Sequence, residues 1–184
     1  MNEFIDQFMP YISKDICWNI DINAIDGLKN EEIDVYTEKL NIEAKGDFRL
    51  WLQTFGKCSG GLFMDDFFVF NKYNNRSDET TFLVHMSINL GWQQELVDEG
   101  FITQKDLDGK PYFFSRLNET SYYFIYTTDP ELKVWHYCDG DDTFECTGFS
   151  FIEYLKNYLS GIKCSKGIWL NKSDVLRIST SDLF

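Results

Sequence analysis

Some stretches of this chain have apolar residues at helical spacing, and others are runs that favour strands. The order of these stretches limits the folds that the chain can adopt. In residues 30–40, Ile33, Tyr36 and Leu40 share one helical face, and Asn30 can cap that helix by accepting from its free N–H groups. Further along, runs of aromatic and β-branched residues favour strands, and a helical period returns later. Helices segregated from strands in this way indicate an α+β fold.

Caps and spacing predict two more helices. Asp47 can cap the first, and Gly56 should end it by taking the left-handed conformation that glycine accepts without steric cost. Ser150 and Glu153 form a capping box for the other, which extends to Gly161. Apolar residues at helical spacing line both: Phe48, Trp51, Leu52 and Phe55 in the first, and Phe151, Ile152, Leu155, Tyr158 and Leu159 in the second.

The strand-forming segments predict a single antiparallel-rich sheet of about six strands, with two N-terminal helices and one C-terminal helix packed on it. Asp129-Pro130 suits a type I turn between the last two strands, so a meander is the economical topology. A short helix is expected around Trp92, with Gly100 after it. The predicted strands are 62–64, 67–70, 81–88, 112–116, 122–127 and 134–138.

A length of 184 residues fits one domain, 1–184, with a core of about 29–160. Residues 1–28 are interpreted as an N-terminal extension packed on that core. The C-terminal extension, 161–184, is too apolar to be free of the body but too irregular to assign.

An excess of acidic residues narrows the classes of partner. The chain has 30 Asp and Glu against 17 Lys and Arg, a formal net charge of -13, which repels nucleic-acid backbones and anionic lipid. Such a protein attracts basic partners, although the same charge could simply keep an aromatic-rich chain soluble. The first residues lack a signal-peptide pattern, and the five cysteines include no C-x-x-C pair, so a reduced, cytoplasmic protein is expected.

No motif indicates a catalytic, cofactor or metal site. His85 and His136 lie in predicted strands, where a structural role is the simpler interpretation, and an enzyme would need one of them in a deep pocket beside carboxylates. His136, Cys138 and Cys146 lack the close ligand pair that orders a zinc site. Two stretches with fragments of calcium-loop spacing are interpreted as polar turns: Asp106-x-Asp108-Gly109 and Asp139-Gly140-Asp141-Asp142.

Carboxylates and aromatic residues cluster in two stretches that could form a surface for a basic partner. Residues 91–100 contain no basic residue, and residues 129–145 contain only Lys133. If the two stretches share a face, aromatic side chains could anchor a partner that carboxylates attract; otherwise they are ordinary solvated surface. The candidate partner-binding residues are Trp92, Glu95, Asp98, Glu99, Asp129, Glu131, Tyr137, Asp139, Asp141 and Asp142.

Several stretches, in their order, resemble the SUKH superfamily, which groups yeast cell-wall-synthesis regulators with bacterial immunity proteins. Residues 31–42 and 48–56 are similar to its first two helices, and Gly60-Gly61 to the glycines before its first strand. Val134-Trp135-His136-Tyr137 resembles a later strand, and residues 149–155 resemble the closing S-F-x-x-[FY]-L helix. The Leu-Pro pair that often precedes the second helix is absent.

The resemblance implies a non-enzymatic protein that binds a cognate toxin domain and neutralises it, and the acidic charge favours a basic toxin. The alternative, from the eukaryotic members, is a regulatory or scaffold protein of cell-envelope synthesis. Neither role requires a cofactor, nucleic acid or membrane.

Overall fold

A four-stranded antiparallel sheet forms the centre of the protein, and each strand pairs with the next one along the chain. The computed structural model describes residues 3–16, 20–63, 82–117 and 120–161. The strands are β1 (Pro111–Leu117), β2 (Ser121–Tyr126), β3 (Lys133–Cys138) and β4 (Thr143–Ser150), in the spatial order β1-β2-β3-β4. The predicted α+β class and the meander of three predicted strands are confirmed.

Side chains of the central strands alternate between two apolar clusters, one on each face of the sheet. On β2, Tyr122 and Phe124 belong to one cluster, whereas Tyr123 and Ile125 contact the other. Both faces therefore need a cover that excludes water.

The first face is covered by helices near the two ends of the described chain. They are α1 (Glu3–Asp6), α2 (Asn30–Leu40), α3 (Gly46–Phe55) and α5 (Phe151–Gly161). The helix predicted for 30–40 has the predicted bounds, and the closing capping box is confirmed, since Ser150 N and Oγ donate to Glu153 Oε2 at 2.9 and 2.8 Å. Aromatic residues of α3 and α5 meet at Trp51, whose ring centroid lies 6.3 Å from that of Phe48 and 5.5 Å from that of Phe151.

The second face is covered by α4 (Phe82–Asp98), which corrects two predictions. Residues 82–88 are helical, so the strand predicted for 81–88 is wrong, and the short helix around Trp92 is the second half of a longer one. The apolar residues of α4 are spread around the helix, so the sequence has no helical period there. Asn89 fixes α4 to the sheet, since its side chain accepts from Phe113 N at 2.8 Å and donates to Phe113 O at 3.1 Å.

The predicted count of about six strands is not reached in the described residues, which contain four. Leu62 and Phe63 form a bend, and the rest of the predicted pair, 64–70, lies outside the described residues. Strand β4 was not predicted, because a solvent-exposed edge strand with Gly148 in it resembles a polar loop.

Details of three helix ends also differ from the predictions. Lys29 precedes α2, and its backbone N–H donates to Glu32 Oε2 at 2.8 Å, so Asn30 is not the cap. Lys45 rather than Asp47 precedes α3. Gly56 has φ -61°, not a left-handed conformation; a Cβ there would lie 2.4 Å from Leu52 O, so close packing excludes a side chain.

The first residues of the described chain pack on the body. Phe8 is fully buried, with its ring centroid 5.9 Å from that of Phe55 and 5.6 Å from that of Phe63. Ser13 N donates to Leu159 O at 3.0 Å. The C-terminal extension beyond Gly161 lies outside the described residues.

A buried pair of tyrosines joins α2 to β1, and we expect its loss to destabilise the protein. Tyr36 Oη and Tyr112 Oη lie 3.1 Å apart, and burial raises the pKa of Tyr112 to about 12, so the phenol stays neutral. Tyr36→Phe should lower the free energy of unfolding by about 1–3 kcal/mol, because the Tyr112 hydroxyl loses this partner. Urea denaturation of both single variants and of the double variant measures the coupling; strictly additive losses would contradict a direct bond.

Candidate functional site

Several of the predicted partner-binding residues come together where the end of α4 lies beside β3. The Trp92 ring centroid lies 4.8 Å from that of Tyr122, and Tyr122 stacks on Tyr137 at 5.6 Å. Tyr137 Oη donates to Glu99 Oε2 at 2.8 Å, which ties the helix to the sheet. We call the following residues the acidic cluster: Trp92, Glu95, Glu99, Tyr122, Tyr137 and Asp139.

The carboxylates of the acidic cluster repel one another. Burial, and then the charges of Asp139 and Glu99, raise the pKa of Glu95. Burial and the hydrogen bond to Glu99 raise the pKa of Tyr137 well above its ordinary range, so its phenol stays a neutral donor. Several carboxylates held close together beside aromatic rings are suited to binding a cation.

Three other predicted residues lie near the acidic cluster without belonging to it. Asp98 is exposed and accepts from Gln94 Nε2 at 2.8 Å. Asp141 and Asp142 follow Asp139 in the turn between β3 and β4, and hydrogen bonds from Thr143 and Cys138 lower the pKa of Asp141. These carboxylates add negative charge to the same end of the sheet.

Asp129 and Glu131 lie in the turn between β2 and β3, at the opposite end of β3. The Asp129 carboxylate accepts from Glu131 N and from Lys133 N, both at 3.0 Å, and so shapes the turn. Glu131 pairs with Lys133 at 3.3 Å. The six residues of β3 separate the two ends by roughly 20 Å, since a strand rises about 3.3 Å per residue. The predicted surface is therefore divided into two parts.

Asp129 also lines an open pocket of about 500 Å³ that sequence reasoning did not find. Its apolar wall is formed by Phe101, Tyr126, Trp135 and Phe144. The Trp135 ring centroid lies 5.4 Å from that of Phe144 and 5.7 Å from that of Tyr126. We call this site the aromatic pocket.

The polar side of the aromatic pocket comes from the 3₁₀ segment Gln104–Gly109, which supplies Lys105, Asp106 and Asp108. Asp106 Oδ2 accepts from Thr103 N at 2.7 Å and from Thr103 Oγ1 at 2.8 Å, and these bonds lower the pKa of its carboxyl. Burial and the Asp106 charge raise the pKa of Tyr126 to about 12. The pocket thus has three fixed or exposed carboxylates and one lysine against an aromatic wall.

Residues that form this pocket are visible in the sequence, but their spacing along the chain does not show that they lie together. Asp106-x-Asp108-Gly109 has the sequence of a polar turn and lies in the 3₁₀ segment, but Gly109 has a further role. A Cβ there would lie 2.6 Å from Tyr126 Cδ1, so the absence of a side chain lets the ring pack on the turn. Phe144 belongs to the unpredicted strand β4, which left the wall incomplete in the sequence interpretation.

His136 lies outside both sites. Its ring stacks on Tyr123 at 4.8 Å, and its Nδ1 lies 3.9 Å from Glu145 Oε1, which fits a structural role. The side chain of His85 lies outside the described residues. Over the ranges described above, no three side chains of His, Cys, Asp or Glu are grouped so that they could hold a metal ion.

Comparison with known proteins adds no assignment. No protein-family model, curated protein or solved structure matches the chain. None of the helices in the described part of the chain is both long enough and apolar enough to span a bilayer. The function is therefore argued from the geometry of the acidic cluster and the aromatic pocket.

The repulsion within the acidic cluster predicts that Glu95→Gln stabilises the protein at pH 7. Because the pKa of Glu95 is raised on folding, its charged form is disfavoured in the folded state at any pH above that raised pKa. The neutral isostere removes this cost, and we expect a melting temperature about 1–3 °C higher, discounted for the partial exposure of the side chain.

The gain should shrink as the pH falls through the raised pKa, because Glu95 then becomes protonated in the native protein as well. Glu31→Gln, at an exposed position in the first turn of α2, removes the same charge away from the cluster and serves as the control. Thermal unfolding between pH 4 and pH 7 measures both variants. A lower melting temperature for Glu95→Gln at pH 7 would show that the carboxylate is stabilising.

Proposed function

We propose that this chain is a non-catalytic binding protein that covers a basic protein partner, acting as a cytoplasmic immunity protein against a basic bacterial toxin domain. The observation that carries the proposal is the acidic cluster. Glu95, Glu99 and Asp139 lie together beside aromatic rings, and the pKa of Glu95 is raised by burial and then by the charges of Asp139 and Glu99. A basic partner would offset this repulsion.

Trp92, the partly exposed ring of the cluster, supports an interface rather than ordinary solvated surface, whereas Tyr122 and the predicted anchor Tyr137 are buried and cannot be anchors. Trp92 is partly exposed and packs against Phe113 and Tyr122, with ring centroids 5.5 and 4.8 Å away. Large rings held rigidly at a polar surface provide contact area at small entropic cost, and such residues are enriched among those that dominate binding energy. Carboxylates around them steer a basic partner and favour its orientation.

The immunity role comes from the resemblance to the SUKH superfamily. The main stretches that carry the resemblance lie in α2, α3, β3 and α5; of these elements β3 carries Tyr137 of the cluster, and the three helices cover the opposite face of the sheet. The resemblance supports the proposal by the order of these elements, and it leaves the identity of the partner open.

Co-expression with the product of the adjacent reading frame tests the proposal. We expect the chain to restore growth of cells that express this product and to purify with it. Affinity should fall from low to high salt, because exposed charges are screened over about 8 Å at physiological ionic strength. The double variant Glu95→Gln/Asp139→Asn should slow association ~3- to 10-fold, since steering depends on these charges.

The matched control is Glu31→Gln/Asp47→Asn, which removes two charges from α2 and α3 on the other face of the sheet. Equal slowing by both double variants would show that only net charge matters. No growth rescue, together with altered cell-wall composition when the gene is deleted, would reject neutralisation and favour regulation of envelope synthesis.

A further inference from the structure

We propose that the aromatic pocket binds the guanidinium of an arginine side chain presented by an exposed segment of the protein partner. Four aromatic rings form one wall of an open space of about 500 Å³. Its charged lining consists of three carboxylates and one lysine, so negative charge is in excess. This size is within the range of pockets that bind a compact ligand group. The partner-segment part rests on the proposed function, whereas guanidinium binding can be measured without it.

The arrangement of the rings favours a flat cation. The Phe144 plane is inclined by only 32° to that of Trp135 and by 23° to that of Phe101, so the Phe144 face has an orientation similar to that of each of these two neighbours. A guanidinium is planar and weakly hydrated, and it stacks on such faces, whereas an ammonium is compact and strongly hydrated. The wall therefore favours arginine over lysine.

The carboxylates are placed to receive the N–H groups of that cation. Two of them are fixed by the backbone: Asp106 through Thr103, and Asp129 through the two N–H groups of its turn. A carboxylate has about four acceptor positions, so both keep capacity for a ligand. Asp108 is exposed at the same edge. Arginine can bond a carboxylate through two parallel N–H groups, which adds geometric selectivity.

One ring of the pocket, Phe101, also contacts the acidic cluster. The Phe101 ring centroid lies 5.0 Å from that of Tyr137 in the cluster and 6.1 Å from that of Phe144 in the pocket. A partner that covers the cluster can therefore extend a segment into the pocket. The openness of the site to solvent suits a side chain on a larger molecule.

Binding of short peptides to the full-length chain tests this proposal. The probe is the blocked pentapeptide Gly-Gly-Arg-Gly-Gly, compared with the same peptide carrying citrulline, which has the same shape without the charge. Titration is followed by the indole N–H signal of Trp135, assigned by its loss in Trp135→Phe. We expect the arginine peptide to shift this signal and to bind at least ~10-fold more tightly than the citrulline peptide. The lysine peptide should bind more weakly than the arginine peptide.

Removing a negative charge and removing a positive charge from the pocket should change the affinity for the arginine peptide in opposite directions. Asp108→Asn should weaken binding of the arginine peptide by roughly fivefold or less, because the aspartate is exposed, and Lys105→Gln should tighten it by a similar factor. Asp47→Asn on α3, which faces away from the pocket, is the matched control and should change nothing. Equal binding of arginine and citrulline peptides, or equal effects of Asp108→Asn and Asp47→Asn, would overturn the proposal.

Two further outcomes separate this proposal from the proposed function. Binding of N-acetyl-arginine amide much more tightly than the pentapeptide, with both weakened equally in Asp108→Asn, would make the site one for small organic cations and overturn the partner-segment assignment. Growth rescue without peptide binding would overturn the pocket proposal and leave the proposed function standing. Peptide binding without growth rescue would support the pocket proposal and overturn the proposed function. Asp108→Asn should also weaken rescue if both proposals hold.

Discussion

The alternation of aromatic side chains along β2 and β3 is the constraint on which the rest of the structure depends. Because Tyr122 and Phe124 face one side while Tyr123 and Ile125 face the other, neither face of the sheet can be left to water. One face is covered by helices from both ends of the described chain. The other must be covered from within it, and α4 does this by fixing Asn89 to the edge of β1.

The position of α4 explains why the two candidate sites lie where they do. Trp92 of α4 packs on Phe113 of β1 and on Tyr122 of β2, and Glu99, directly after the helix, accepts from Tyr137 of β3. At the other end of β3, the 3₁₀ segment after α4 covers the sheet incompletely, and Trp135 and Phe144 remain accessible from the aromatic pocket. Incomplete cover of an aromatic face thus produces a binding site from the same alternation that forms the core.

Sequence reasoning found the helices whose apolar residues follow a clear period, α2, α3 and α5, and it found β1, β2 and β3. It predicted only the second half of α4, because strand-favouring residues are spread around that helix and burial by the sheet, not local preference, decides its conformation. It missed β4 because an edge strand needs few apolar residues when pairing with β3 supplies its order. The acidic cluster was predicted in part from charge. The pocket was not, because Phe144 of its wall lies on the missed strand β4, and the segment that supplies its polar side was predicted only as a polar turn.

The two sites would contribute to binding in different ways. Exposed carboxylates of the acidic cluster act over distances up to the screening length and so affect how fast a basic partner arrives. Contacts inside the aromatic pocket exist only after docking, when water has left the rings, and so affect how slowly the partner leaves. Phe101 contacts rings of both sites, so movement of the segment that carries it would change the two together. A partner with many lysines but no suitably placed arginine would then associate quickly and dissociate quickly, and selectivity would depend on the pocket.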